Sequence, residues 1–174
     1  MFNTTIATQI YAKICFEATN SQKKIIENLS EYLSDDDFSR IFVLNGFAGT
    51  GKTTLIAALV AALKELRIKP VLLAPTGRAA KVLARYCGEQ ALTIHKRIYR
   101  QRTNADYESK FSLDFNREQG AVFIVDEASM LSDSTGDGAL FGSGSLLEDL
   151  VSYVRSGRGC RLILVNRQPR PLRT

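Results

Sequence analysis

Eight consecutive residues constrain this chain more than anything else in it. Gly46-Phe47-Ala48-Gly49-Thr50-Gly51-Lys52-Thr53 matches G-x-x-x-x-G-K-[ST], a loop whose backbone N–H groups cradle phosphate oxygens. The flanks are those such a loop needs. Before it, Ile41-Phe42-Val43-Leu44 is an apolar, β-rich run that reads as a buried strand. After it, Leu55, Leu59, Leu63 and Leu66 recur at helical spacing and Pro70 follows the stop, as at a helix end. Glycines let the backbone curl so that its N–H groups converge, and a helix N-terminus adds the positive end of its dipole. Lys52 is placed to reach the β- and γ-phosphates and the Thr53 hydroxyl to ligate Mg²⁺. Thr54 continues the turn. A chance glycine-rich turn is the alternative, and the order strand, loop, helix argues against it.

At 174 residues the chain is about one domain long. Its 45% hydrophobic and 24% charged residues are ordinary for a soluble globular fold. No apolar run is long enough for a membrane helix, and Lys13 and Glu17 interrupt any secretory pattern near the N-terminus. Cys15, Cys87 and Cys160 are odd in number and far apart, which fits reduced thiols better than disulfides or a metal site. With His95 the only imidazole, a structural zinc site is not expected. The compartment expected is the cytoplasm.

Charge is unevenly placed. Residues 78–102 hold seven Lys/Arg against Glu89, and residues 155–173 hold six Arg and no acid. The chain is +5 in all, so the rest of it is acidic. Two basic blocks on an acidic body point to contact with a polyanion, and a solvated charged face is the alternative for either block alone.

Strands are expected at 41–44, 71–74, 122–125 and 162–165, and helices at 21–33, 54–67, 79–86 and 146–155. Alternation of this kind predicts an α/β fold with a parallel sheet covered on both faces. Residues 100–119 and 132–145 read as surface excursions; the second holds four glycines and suits a mobile loop beside the nucleotide. The strand Val122-Phe123-Ile124-Val125 ends in Asp126 and Glu127. Ligands bind at the carboxyl ends of such strands, so both acids should face the phosphate loop. Asp126 is expected to hold Mg²⁺, directly or through water. Glu127 is expected to orient and deprotonate an attacking water.

Taken together, four blocks resemble the first motor domain of superfamily 1 DNA helicases, in the RecD-like and Dda-like branch. They are residues 46–54, Leu73-Ala74-Pro75-Thr76-Gly77-Arg78-Ala79-Ala80, Thr93-Ile94-His95-Lys96, and Ile124-Val125-Asp126-Glu127-Ala128-Ser129-Met130. The resemblance implies a three-layer, RecA-like P-loop NTPase fold over residues 1–165. It implies ATP and Mg²⁺ as ligands, with Lys52 and Glu127 catalytic, and single-stranded DNA as partner. Pro75, Thr76, Gly77, Arg78, Thr93, His95 and Lys96 would line the DNA path, with Arg97 adding charge. His95 is open to two readings, stacking on a base or packing as a structural histidine. Thr19-Asn20-Ser21-Gln22 resembles the family's adenine-reading segment. Gln22 has the donor and acceptor for that role, and a surface helix glutamine is the alternative.

The resemblance breaks after Val165. In place of a Gly-Asp-x-x-Gln-Leu-Pro segment stands Asn166-Arg167-Gln168-Pro169-Arg170-Pro171-Leu172. Residues 166–174 are therefore expected to be an atypical basic tail. A truncated gene, a shifted reading frame or an excised domain would each account for it and for the missing second motor domain. A stand-alone P-loop ATPase or small-molecule kinase is the competing enzyme reading. A non-catalytic nucleotide- or DNA-binding remnant is the third.

Overall fold

The computed structural model describes residues 2–47, 49–103, 109–131 and 141–168. In chain order the elements are α1 (Phe2–Lys13), α2 (Asn20–Ser34), β1 (Ile41–Phe47), α3 (Lys52–Glu65), β2 (Pro70–Ala74), α4 (Gly77–Cys87), β3 (Ala91–Thr93) and α5 (Ile94–Ile98). These are followed by β4 (Tyr99–Thr103), β5 (Ser109–Leu113), β6 (Val122–Val125), a 3₁₀ turn (Ala128–Leu131), α6 (Leu146–Ser156) and β7 (Arg161–Gln168).

Five strands form one sheet in the order β1-β7-β6-β2-β3, with every neighbouring pair parallel. Parallel strands need crossovers, and α3, α4 and α6 supply them. The strand sequences are apolar at successive positions because both faces are covered. Val122 and Ile124 of β6 face a core built with α1, α2 and α3, whose Ile6, Ile26, Leu29, Leu59 and Leu63 are fully buried. Phe123 and Val125 face the opposite core, with Ile94 and Ile98 of α5 and Leu150 of α6. Helices, sheet and helices thus make the three layers of an α/β, RecA-like P-loop fold.

The structure departs from the sequence expectation at several points, among them the short β3 and α5, which were not foreseen. Helix α1 precedes the elements foreseen, and Ile6 and Ile10 bury it in the first core. Within 100–119, β4 and β5 form an antiparallel hairpin with Tyr99 opposite Leu113. Among the described side chains of that ribbon, Tyr99, Phe111 and Leu113 pack on the core, and its sequence keeps the polar composition of a surface segment. Strand β7 runs three residues past 165, because Asn166, Arg167 and Gln168 continue to pair with Asn45, Gly46 and Phe47 of β1.

Most of the expected loop 132–145 lies outside the described residues. Its described end is anchored: Phe141 stacks on Phe111 with ring centroids 4.6 Å apart. No helix among the described residues is long and apolar enough to cross a membrane.

Candidate functional site

In a parallel sheet all carboxyl ends lie along one edge, and that edge collects the chemistry here. Reading across β1, β7, β6, β2 and β3, the strands deliver the phosphate loop, Arg167, Asp126 with Glu127, Thr76 with Arg78, and Thr93. Five adjacent strands span four inter-strand spacings, about 19 Å.

The loop after β1 turns on Gly51, whose φ of +79° lies in the left-handed region that non-glycine residues avoid. A Cβ on Gly51 would stand 2.7 Å from Gln22 Nε2. At Gly46 the constraint is room, because a Cβ there would meet Lys52 Nζ and Thr50 Oγ1 at 3.2 Å each. Gly51 opens α3 without a capping side chain. The other helices with a defined N-cap, α2, α4, α5 and α6, use the hydroxyls of Thr19, Thr76, Thr93 and Ser145. A phosphate is the kind of group that takes such a cap's place.

Lys52 folds back over the loop. Its ammonium donates to the Gly46 carbonyl and lies 3.3 Å from Thr50 Oγ1. Burial, and then the nearby Arg167, hold its pKa below the ordinary lysine value, while Asp126 acts in the opposite sense. Thr53 is half-buried in the first turn of α3. Ala48 lies outside the described residues, and Phe47 is placed by its backbone pairing in β1.

Gln22 is brought to the same place. Its Oε1 accepts the Thr19 N–H at 2.9 Å and Thr19 Oγ1 accepts the Gln22 N–H at 3.3 Å, a reciprocal capping box. Its Nε2 is 3.5 Å from the Thr50 carbonyl. A cleft of about 650 Å³ holds Gln22, the loop glycines and Lys52 against an apolar wall of Phe16, Ile25 and Leu55.

At the end of β6, Asp126 is 8% exposed. Its Oδ1 accepts the Glu127 N–H at 2.9 Å and its Oδ2 accepts from Arg167 Nη2 at 2.8 Å. Glu127 adopts φ of +56°, a costly backbone for a residue with a Cβ and one that recurs at functional sites. Its carboxylate lies 3.9 Å from Arg167 Nη1. Thr76, Arg78, Val82, Asp126, Glu127 and Arg167 line one smaller cleft of about 210 Å³, so the acids and the first basic block meet there.

The expected DNA-path residues are only partly gathered. Pro75 and Thr76 follow β2, Gly77 and Arg78 open α4, and Arg78 and Lys96 are exposed. The Thr76 and Thr93 hydroxyls accept from Ala79 and Lys96 N–H groups at 3.2 Å. Each is a helix cap and still has its own O–H to donate. His95 packs as an aromatic, 5.0 Å edge-on to Phe141 and 5.7 Å from Tyr99.

Arg97 is committed elsewhere, pairing with Glu118 at 2.6 Å. The second basic block does not form one patch. Arg155 donates to the Ser39 carbonyl, Arg161 is buried over the Tyr32 and Phe38 rings, and Arg170 and Arg173 lie outside the described residues. Sequence reasoning missed Arg167 because its strand was expected to end at 165. It also missed Lys81 and Arg85, which continue the exposed basic face of α4 beside Arg78 and are visible as an i, i+3, i+7 series.

Comparison with known proteins agrees with this geometry. The family described as "AAA domain" matches residues 17–140. The chain is 29% identical over 114 residues to an ATP-dependent RecD2 DNA helicase of Deinococcus radiodurans, an alignment covering 66% of this chain and 15% of that protein.

Proposed function

This chain belongs to the AAA domain family, and we propose that it is an ATP-binding motor domain of DNA-helicase type that also contacts single-stranded DNA. One observation carries the nucleotide part: a left-handed glycine opening an uncapped helix, with Lys52 bent over the loop and two carboxylates on the same sheet edge. The loop from Gly46 to Thr53, with Thr54, would bind the phosphates. Phe16, Ile25 and Leu55 would flank the base, and Gln22, with one amide proton and one lone pair unspent, would read its edge. Mg²⁺ would find hard oxygen donors in the Thr53 hydroxyl and the Asp126 carboxylate, but Asp126 is already paired with Arg167 at 2.8 Å. Lys52 adds a fixed positive charge to the same phosphates. Glu127, half-buried and held by its unusual backbone, would orient a water and take its proton.

The DNA part rests on charge and position. Thr76, Arg78, Thr93 and Lys96 stand at neighbouring strand ends, and Lys81 and Arg85 prolong the face. Phosphate contacts from such groups position a strand without reading its sequence. A helicase's full activity is proposed only for a longer assembly, since the chain spans about 15% of the length of the helicase it matches. The ion pair between Arg167 and Asp126 favours a second reading, nucleotide binding without turnover.

Titrating a fluorescent ATP analogue, and measuring ATPase with and without single-stranded oligonucleotide, tests both. Binding with DNA-stimulated hydrolysis supports the motor reading. Binding without hydrolysis supports the second, and no binding at all overturns both.

A further inference from the structure

Asp126, the carboxylate best placed for a divalent cation, already has a cation on it. Arg167 sits opposite Gly46 in the pairing of β7 with β1, which carries it to the edge where the phosphate loop begins. Its Nη2 donates to Asp126 Oδ2 at 2.8 Å, and its Nη1 is 3.9 Å from Glu127 Oε1. The other Asp126 oxygen accepts the Glu127 N–H at 2.9 Å. Both oxygens are thus engaged, and with Asp126 only 8% exposed water competes weakly for them. Lys52 supplies a second positive charge nearby and feels Arg167 as a like charge. The four side chains Lys52, Arg167, Asp126 and Glu127 form a neutral set without any metal ion.

A divalent cation entering this set must displace a guanidinium or share a carboxylate with it. Magnesium keeps most of its waters and depends on one or two carboxylates for its hold on a protein. A guanidinium never loses its charge and presents a planar fork of donors that suits carboxylates. Lysine in the same place would offer a movable point charge instead.

We propose that Arg167 is a resident counter-ion standing where the divalent cation would bind Asp126, so that this chain takes nucleoside polyphosphates with little dependence on a divalent metal. The proposal deepens the nucleotide reading and rests on it for its ligand. The Asp126–Arg167 pair itself is independent of any nucleotide.

Two measurements on the whole chain separate the cases. In the first, Mn²⁺ is titrated into nucleotide-free protein and the free ion followed by electron paramagnetic resonance. Arg167→Met, which keeps the apolar stem, is expected to bind Mn²⁺ at least about threefold more tightly than the parent, the scale of a partly exposed ion pair. The gain should vanish when Asp126→Asn is added, and Arg167→Lys should fall between. In the second, the affinity for a fluorescent ADP is measured in EDTA and across a Mg²⁺ series. The parent is expected to change by less than about threefold and Arg167→Met to gain about tenfold on adding Mg²⁺. Thermal melting checks that each variant is folded, and Arg167→Gln serves in place of Arg167→Met if that variant is not.

Unchanged or weaker Mn²⁺ binding in the folded variant overturns the proposal. So does an equal loss of ADP affinity in EDTA and in Mg²⁺, which would make Arg167 a phosphate ligand instead. If no variant binds ADP, the nucleotide reading falls while the Mn²⁺ titration still decides whether Arg167 guards Asp126.

Discussion

Lys52 and Glu127 carry the two separable halves of the proposed chemistry. Lys52 is held over the phosphate loop by the Gly46 carbonyl, a partner that terminal phosphates would replace. Charge-assisted contacts of this kind contribute about 1.5–3 kcal/mol. Lys52→Ala should therefore weaken ATP binding roughly tenfold or more with little change in melting temperature, and equal affinity by calorimetry would remove the loop from the site. Glu127→Gln keeps the shape and hydrogen-bonding capacity of the side chain and removes the base. Nucleotide affinity should persist while any hydrolysis falls about 10²-fold, and turnover at the parent rate would exclude Glu127 from that role. Both residues were legible in the sequence because each belongs to a contiguous motif with a strand before it. Arg167 was not, because what brings it to Asp126 is the pairing of β7 with β6 on one side and β1 on the other, long-range contacts that no local pattern encodes. Arg97 shows the converse, since a basic residue inside a basic block is bound to Glu118 from a distant segment.

Among the helices with a defined N-cap, α3 is the one that starts without a capping side chain, as the proposed phosphate site would require. Gly51 supplies no cap, and its left-handed backbone makes room beside Gln22. Gly51→Ala should strain the turn by about 1–2 kcal/mol. It should also push Gln22 from the loop, lowering both melting temperature and nucleotide affinity. Parent-like binding together with parent-like melting would show that the turn does not need glycine. The four principal strands were readable because burial on both faces leaves unbroken apolar runs, as in Val122-Phe123-Ile124-Val125. Strand β3 has only three residues, too few for any periodicity. The β4–β5 ribbon pairs two largely polar strands whose stability comes from each other and from a few aromatic anchors. Helix α1 mixes Thr, Gln and Asn with its two buried isoleucines, so its apolar face is narrow. Capping by Thr76 and Thr93 explains those hydroxyls without reference to DNA, which moves the weight of the DNA reading onto the exposed cations.

At the scale of the molecule, the parallel sheet sorts charge by edge. Arg78 and Lys96 lie by the carboxyl ends of β2 and β3, and Arg78 lines the same cleft as Asp126 and Glu127. Arg155, in the last turn of α6, and Arg158, just before the amino end of β7, lie on the opposite edge. A strand of DNA following the carboxyl edge would therefore meet the first pair and not the second, although each pair carries the same charge. Each phosphate contact on a single strand contributes about −0.7 to the slope of log affinity against log salt. Arg78→Ala with Lys96→Ala should lower oligonucleotide affinity at low salt and flatten that slope by about 1.4, two contacts' worth. Arg155→Ala with Arg158→Ala removes as much net charge and should leave the slope near the parent's. Titrations of a labelled oligonucleotide across a salt series decide the matter, and equal flattening by the two double variants would mean that binding follows net charge and not the strand ends of this sheet.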